Sequence, residues 1–184
     1  MTDLHERARV AAEQLQDVDD DELYQQLGLR IRAIERDPSI AGDLSPDVPA
    51  TEMGISFVDL REFGRRTFVT LSAPAMGVVC AGAGEGHSLE ALLRSFGTSG
   101  TAVTAALTTV LIGQLAIAPA VAGIVATLVV GKVAPATLQG LCGGWGRKLE
   151  QARAAAPQAP ATSDPAPGDG QTTGPSGATS GGKS

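Results

Sequence analysis

Thr98-Ser-Gly-Thr-Ala-Val-Thr-Ala-Ala-Leu-Thr-Thr-Val-Leu-Ile-Gly-Gln-Leu-Ala-Ile-Ala-Pro-Ala-Val-Ala-Gly-Ile-Val-Ala-Thr-Leu-Val-Val-Gly-Lys132 is the stretch on which the fold of this chain turns. No side chain between Arg94 and Lys132 is charged, Gln114 is the only side-chain amide, and Pro119 divides the run. Proline has no amide hydrogen and pushes the residue before it out of helical geometry, yet it suits the first position of a helix. The run therefore predicts a helix over residues 99–117, a tight turn at Ala118, and a second helix from Pro119 to about Ala134. A helix that is apolar all round must be buried, by protein or by lipid. A bilayer core asks for about 20 apolar residues in one helix. The second arm falls short of that and threonines interrupt the first. One kinked span over residues 107–131 would be long enough, so length alone does not choose.

Small residues recur within the run. Gly123, Thr127 and Gly131 lie four apart, as do Ala105, Thr109 and Gly113. That spacing puts each set on one helical face, where two backbones can approach closely.

Composition narrows the fold class. Hydrophobic residues make up 43% of the 184, enough for a core, but aromatic residues only 3%. An aliphatic, alanine-rich core favours helices over sheet. The formal charge of −6 disfavours non-specific binding to nucleic acid. The acidity is concentrated in the N-terminal third, with Asp17, Asp19, Asp20, Asp21 and Glu22 close together. Cys80 and Cys142 lack CxxC spacing, which predicts two free thiols in a reducing compartment. No apolar signal region opens the chain, so the expected location is the cytoplasm, with membrane association if lipid buries the hairpin.

Around the hairpin, amphipathic helices are expected. Leu4, Ala8, Ala11 and Leu15 make a thin stripe on a helix over residues 3–16, with Asp3 and Glu6 as a capping box. Asp19 and Glu22 cap a stronger helix bearing Leu23, Leu27, Ile31 and Ile34, which must stop near Asp37-Pro38. Arg30, Arg32 and Arg36 fall near its C-terminus, where the helix dipole favours positive charge. An anion-binding role for these arginines is the weaker reading. Proline and glycine mark residues 38–55 as a loop. Ser56 can cap a third helix with Phe57, Leu60, Phe63, Phe68 and Leu71 on its apolar side and Arg61, Arg65 and Arg66 on the other. Leu138, Leu141, Trp145 and Leu149 form the last helix, weakened by Gly140, Gly143, Gly144 and Gly146. Trp145 is expected to pack on the hairpin. Residues 156–184 are rich in proline, glycine, serine and threonine without apolar periodicity and read as a disordered tail.

Val78-Val79-Cys80, then Gly82-Ala-Gly-Glu-Gly86, then Ser88 to open a helix, resembles the first motif of S-adenosylmethionine-dependent methyltransferases. The departures are large. Cys80 and Ala81 stand where that family carries an acidic residue, and no succession of strands follows. The other reading is a helix over residues 74–81 ending in a glycine connection, with Ser88 capping the next helix. Cys80 and His87 invite a nucleophile–base reading but have no evident orienting carboxylate beyond Glu85 or Glu90. No metal-ligand spacing links His5 or His87 to the cysteines. No catalytic, cofactor-binding or metal-ligating residue is assigned.

A second resemblance rests on three pieces: Asp21-Glu-Leu-Tyr-Gln-Gln-Leu-Gly-Leu-Arg30, the arm from Ala118 to Lys132, and Leu141-Cys142 with Trp145. Together they resemble small α-helical bacterial proteins, among them the partner proteins of caspase and tetratricopeptide-repeat conflict systems. That resemblance implies a defence-linked partner protein and transfers no active-site residue.

The sequence thus predicts an all-α fold: a compact helical bundle over residues 1–155 around a hydrophobic hairpin at 99–134, then the tail. The expected function is a non-enzymatic partner or adaptor that binds another protein and no nucleic acid. Its contact surfaces would be the acidic N-terminal helices and the helix over residues 57–71. The alternative is a pore- or anchor-forming protein whose 99–134 hairpin enters a bilayer. A methyltransferase-like glycine loop is the third reading.

Overall fold

A computed structural model describes residues 2–46, 48, 56–81, 99–131 and 138–155. Six α-helices account for nearly all of them: α1 (Thr2–Leu15), α2 (Asp20–Arg36), α3 (Phe57–Ala81), α4 (Gly100–Leu115), α5 (Pro119–Val130) and α6 (Leu138–Ala155). A short 3-10 helix, Pro38–Gly42, follows α2. No strand occurs among the described residues. The all-α bundle around an apolar hairpin is therefore correct. The tail expected over 156–184 lies outside the described residues.

The hairpin forms as its sequence dictates. Ser99 caps α4, its hydroxyl accepting the amide of Ala102 at 3.2 Å. Helix α4 ends at Leu115 because Ala116 turns left-handed (φ 50°), and the amide of Ile117 also points back to the Leu111 carbonyl. Pro119 opens α5 at the position where its missing amide costs nothing. Gly131, at φ 65°, ends that helix earlier than Ala134, because a positive φ suits glycine and stops helical propagation. Three of the threonines fit a buried pair because their hydroxyls are satisfied within their own helix. Thr108 donates to the Thr104 carbonyl, Thr109 to Ala105 and Thr127 to Gly123, all at 2.8–2.9 Å.

Every residue from 120 to 130 is buried. The burial comes from protein: α4, α2, α1 and α6 all pack on α5. Leu107, Leu111, Ile124 and Leu128 lie fully enclosed in the main core with Leu23, Leu27, Phe68 and Trp145. Each such side chain contributes roughly 1.5–3 kcal/mol of transfer free energy. Helix α1 lies along α4 through its expected stripe, with Ala8 and Ala11 against Ala105 and Leu44. Its capping box does not form as expected, since Glu6 instead binds Arg9 two turns into the helix.

Helices α2 and α3 meet more closely than any other pair. A Cβ at Gly28 would lie 2.2 Å from the Leu60 carbonyl oxygen, and one at Gly64 would lie 1.8 Å from that of Tyr24. The two backbones touch, and only glycine permits it. By contrast Gly113 faces open space and Gly123 meets only the tip of Leu15 at 4.0 Å. The small-residue faces of the hairpin are therefore not where the backbones approach.

Helix α3 runs unbroken through Pro74, where the sequence suggested two segments. Proline removes one ladder hydrogen bond and crowds the preceding turn. Here its ring faces solvent, while Leu60 and Phe68 before it and Ala75 and Val79 after it are all buried. Packing on both sides holds the helix together across the proline. The same continuity puts Val78, Val79 and Cys80 in a helix and not in the strand that the methyltransferase motif requires.

The two cysteines are not free thiols. Cys80 in the last turn of α3 is bonded to Cys142 of α6, 62 positions further along the sequence, with Cα atoms 5.9 Å apart. The spacing concealed this because the pairing is made by the packing of α6 on α3.

Candidate functional site

The residues singled out from sequence fall into three groups in space. The first lies along one side of the α2–α3 crossing. Asp19, Asp21, Glu22 and Gln25 of the first helix and its cap face Phe57, Val58 and Arg61 across a concavity of about 340 Å³. Phe57 and Val58 are 55% and 57% exposed, the most exposed large apolar side chains among the described residues. The expected apolar side of α3 thus divides. Leu60 and Phe68 enter the core, whereas Phe57 stays in solvent at the helix start, where Ser56 accepts the amide of Val58.

The acidic cluster is partly neutralised in place. Asp19 caps α2, accepting the Glu22 amide at 2.9 Å. Asp21 accepts from Arg61 at 3.0 Å and Arg65 at 2.8 Å, and Asp20 pairs with Lys148 of α6. Arg61 and Arg65 of α3 are therefore committed to α2 rather than to an outward basic patch. Arg66 pairs along its own helix with Glu62. Arg65 also lies 5.1 Å above the Tyr24 ring, and Arg32 lies 4.2 Å from the Phe63 ring. Tyr24 packs edge-on against Phe68 with centroids 5.6 Å apart. Burial, reinforced by Asp20, pushes its phenol up to about 12.

The second group is Arg30, which sequence reading placed with Arg32 and Arg36 as a solvated charge. It is buried, and its guanidinium donates to the carbonyls of Leu44 at 3.0 Å and Ala120 at 2.9 Å. Burial lowers its pKa, with Asp43 partly offsetting the effect. One cation ties the loop after α2 to the first turn of the hairpin's second arm. Its only sequence signal is its place on the same face as Leu23 and Leu27, an odd position for a charge.

The third group is chemical. Cys80 is engaged in the disulfide, while His87, Glu85, Glu90 and the glycine loop at 82–86 lie outside the described residues, as does Ser88. His5 is buried on α1, and burial lowers its pKa. Among the described residues, no group of three or more histidine, cysteine, aspartate or glutamate side chains is placed to hold a metal ion. The buried Ser72 hydroxyl and Trp145 indole nitrogen have no hydrogen-bond partner among the described residues. A second concavity, at one end of the hairpin, is lined by Gln16, Asp17, Thr104 and Thr127.

Among the described residues, no helix is long and apolar enough to cross a membrane. No protein-family model, curated protein or solved structure matches the chain.

Proposed function

We propose that this protein is a non-enzymatic helical partner that binds another protein through the start of α3 and the acidic start of α2. The observation that carries this reading is the exposure of Phe57 and Val58 beside Asp19, Asp21 and Glu22. Adjacent aromatic and aliphatic side chains in solvent with a charged rim are the usual composition of a docking site. Asp21 is matched by Arg61 and Arg65, but the carboxylates of Asp19 and Glu22 beside it favour a partner segment carrying lysine or arginine next to an apolar side chain. The resemblance of residues 21–30, 118–132 and 141–145 would place that partner in a bacterial conflict or defence system.

The site of action proposed for this protein is the cytoplasm. The Cys80–Cys142 disulfide weighs against a reducing compartment and is compatible with the cytoplasm only as a reversible, redox-active bond. Purification from the native host tests the proposal. The wild-type chain is expected to retain one stoichiometric partner, and the Phe57→Glu/Val58→Glu variant to lose it at least tenfold. Equal retention by both chains would refute the surface, and no partner under gentle conditions would refute the function.

Bilayer entry by the hairpin is the second reading, favoured by the uncharged run alone. Its arms are 16 and 12 residues long. At about 1.5 Å per residue they reach roughly 24 and 18 Å, short of a hydrocarbon core of about 30 Å. Leaving the bundle would also strip Arg30 of the Ala120 carbonyl. Liposome flotation decides it: intact protein that stays at the bottom of the gradient at neutral and acidic pH does not insert.

A further inference from the structure

Helix α6 is intrinsically weak and externally held. Its first half reads Leu138-Gln-Gly-Leu-Cys-Gly-Gly-Trp-Gly146, and glycine is the poorest helix former after proline. Close packing does not explain Gly143, Gly144 or Gly146, where an added Cβ would meet nothing nearer than the Arg147 side chain at 3.7 Å from Gly143. What holds α6 is the burial of Leu141, Trp145, Leu149 and Ala152, the Lys148–Asp20 pair, and the bond from Cys142 to Cys80. In return α6 forms one wall over α5, whose surface is apolar all round. The loop closed by the disulfide contains both arms of the hairpin. Both cysteines are only half-buried, so a reductant can approach them.

We propose that Cys80–Cys142 is a redox latch on α6. Closed, it keeps α6 seated on α3 and α5. Opened by a dithiol reductant, it lets α6 loosen and uncovers the side of α5 that α6 shields. The reaction is thiol–disulfide exchange. One thiolate of the dithiol attacks a cysteine sulfur, breaking the S–S bond and forming a mixed disulfide. The second thiol of the reductant then displaces the remaining cysteine. Two electrons pass to the cysteine pair, the two dithiol protons end on Cys80 and Cys142, and the reductant leaves as its own disulfide. This inference is independent of the docking surface on α2 and α3.

Hydrogen exchange by mass spectrometry on the full chain, with and without excess dithiothreitol, tests it. Reduction is expected to speed exchange in residues 138–155 at least tenfold while α1 and α2 keep their protection. The Cys80→Ser/Cys142→Ser variant should exchange at the faster rate with or without the reductant. If that variant does not fold, the reduced wild-type chain carries the test by itself. Three results would overturn the latch: unchanged exchange in α6 after reduction, equal acceleration in every helix, or two titratable thiols in denatured protein prepared without reductant.

Discussion

Helices α2 and α3 cross with their backbones in contact at Gly28 and Gly64, and arginine–aspartate pairs and stacked rings line the crossing. Helices α4 and α5 carry no charge, have the regular small-residue spacing, and yet pack through ordinary side-chain burial. The comparison separates two uses of small residues. In the hairpin, alanine, glycine and threonine keep the wholly buried α5 slim enough for α1, α2, α4 and α6 to pack on it. At the α2–α3 crossing, two isolated glycines remove the Cβ atoms that would hold the helices apart.

The strongest way to break this contrast is Gly64→Ala. The added carbon would sit 1.8 Å from a backbone oxygen, which cannot swing aside, so the helices must separate. The expected loss is about 3 kcal/mol or more, at the top of the range for overpacked cores, read from the urea midpoint. A wild-type midpoint would disprove the close crossing.

Alkaline titration exploits the fact that α2–α3 carries an ionisable ring at its centre while the hairpin carries none. The folded state holds the Tyr24 phenol up to about 12, against an ordinary value of 10. The neutral phenol is the favoured form. Its contribution is therefore complete below pH 10 and is lost as pH rises from 10 towards 12. Tyr24 is the only tyrosine, so tyrosinate absorbance reports it directly. Titration near 10 in the folded protein would show an open crossing.

The smallest effect should come from Gly113→Ala, where nothing lies within 4 Å. With no clash, helix propensity dominates, and a gain of up to about 1 kcal/mol is expected from the thermal midpoint. A loss there would mean that the hairpin does rely on a close approach at Gly113.

The parts of this fold that follow from local chemistry were legible in the sequence. Asp19 caps α2, Pro119 opens α5, and the charge-free run is a buried hairpin, because a cap, a missing amide and an apolar surface act within a few residues. What was hidden depends on elements distant in the chain. Nothing near Gly28 announces Gly64, and nothing near Cys80 announces Cys142. Helix α3 survives Pro74 because of packing on both sides of it, which no local rule records. The candidate surface was half-visible: the acidic cluster stands out, but Phe57 reads as core until Leu60 and Phe68 are seen to fill the interior without it.

Arg30 bears on how the molecule assembles. Its guanidinium serves two carbonyls, one at Leu44 and one at Ala120, 90 residues further along than the arginine itself. Without the hairpin the guanidinium keeps only the Leu44 carbonyl and must find water for its remaining donors, so its burial waits on α5. One side chain thus makes the final packing of the early third of the chain depend on the middle third.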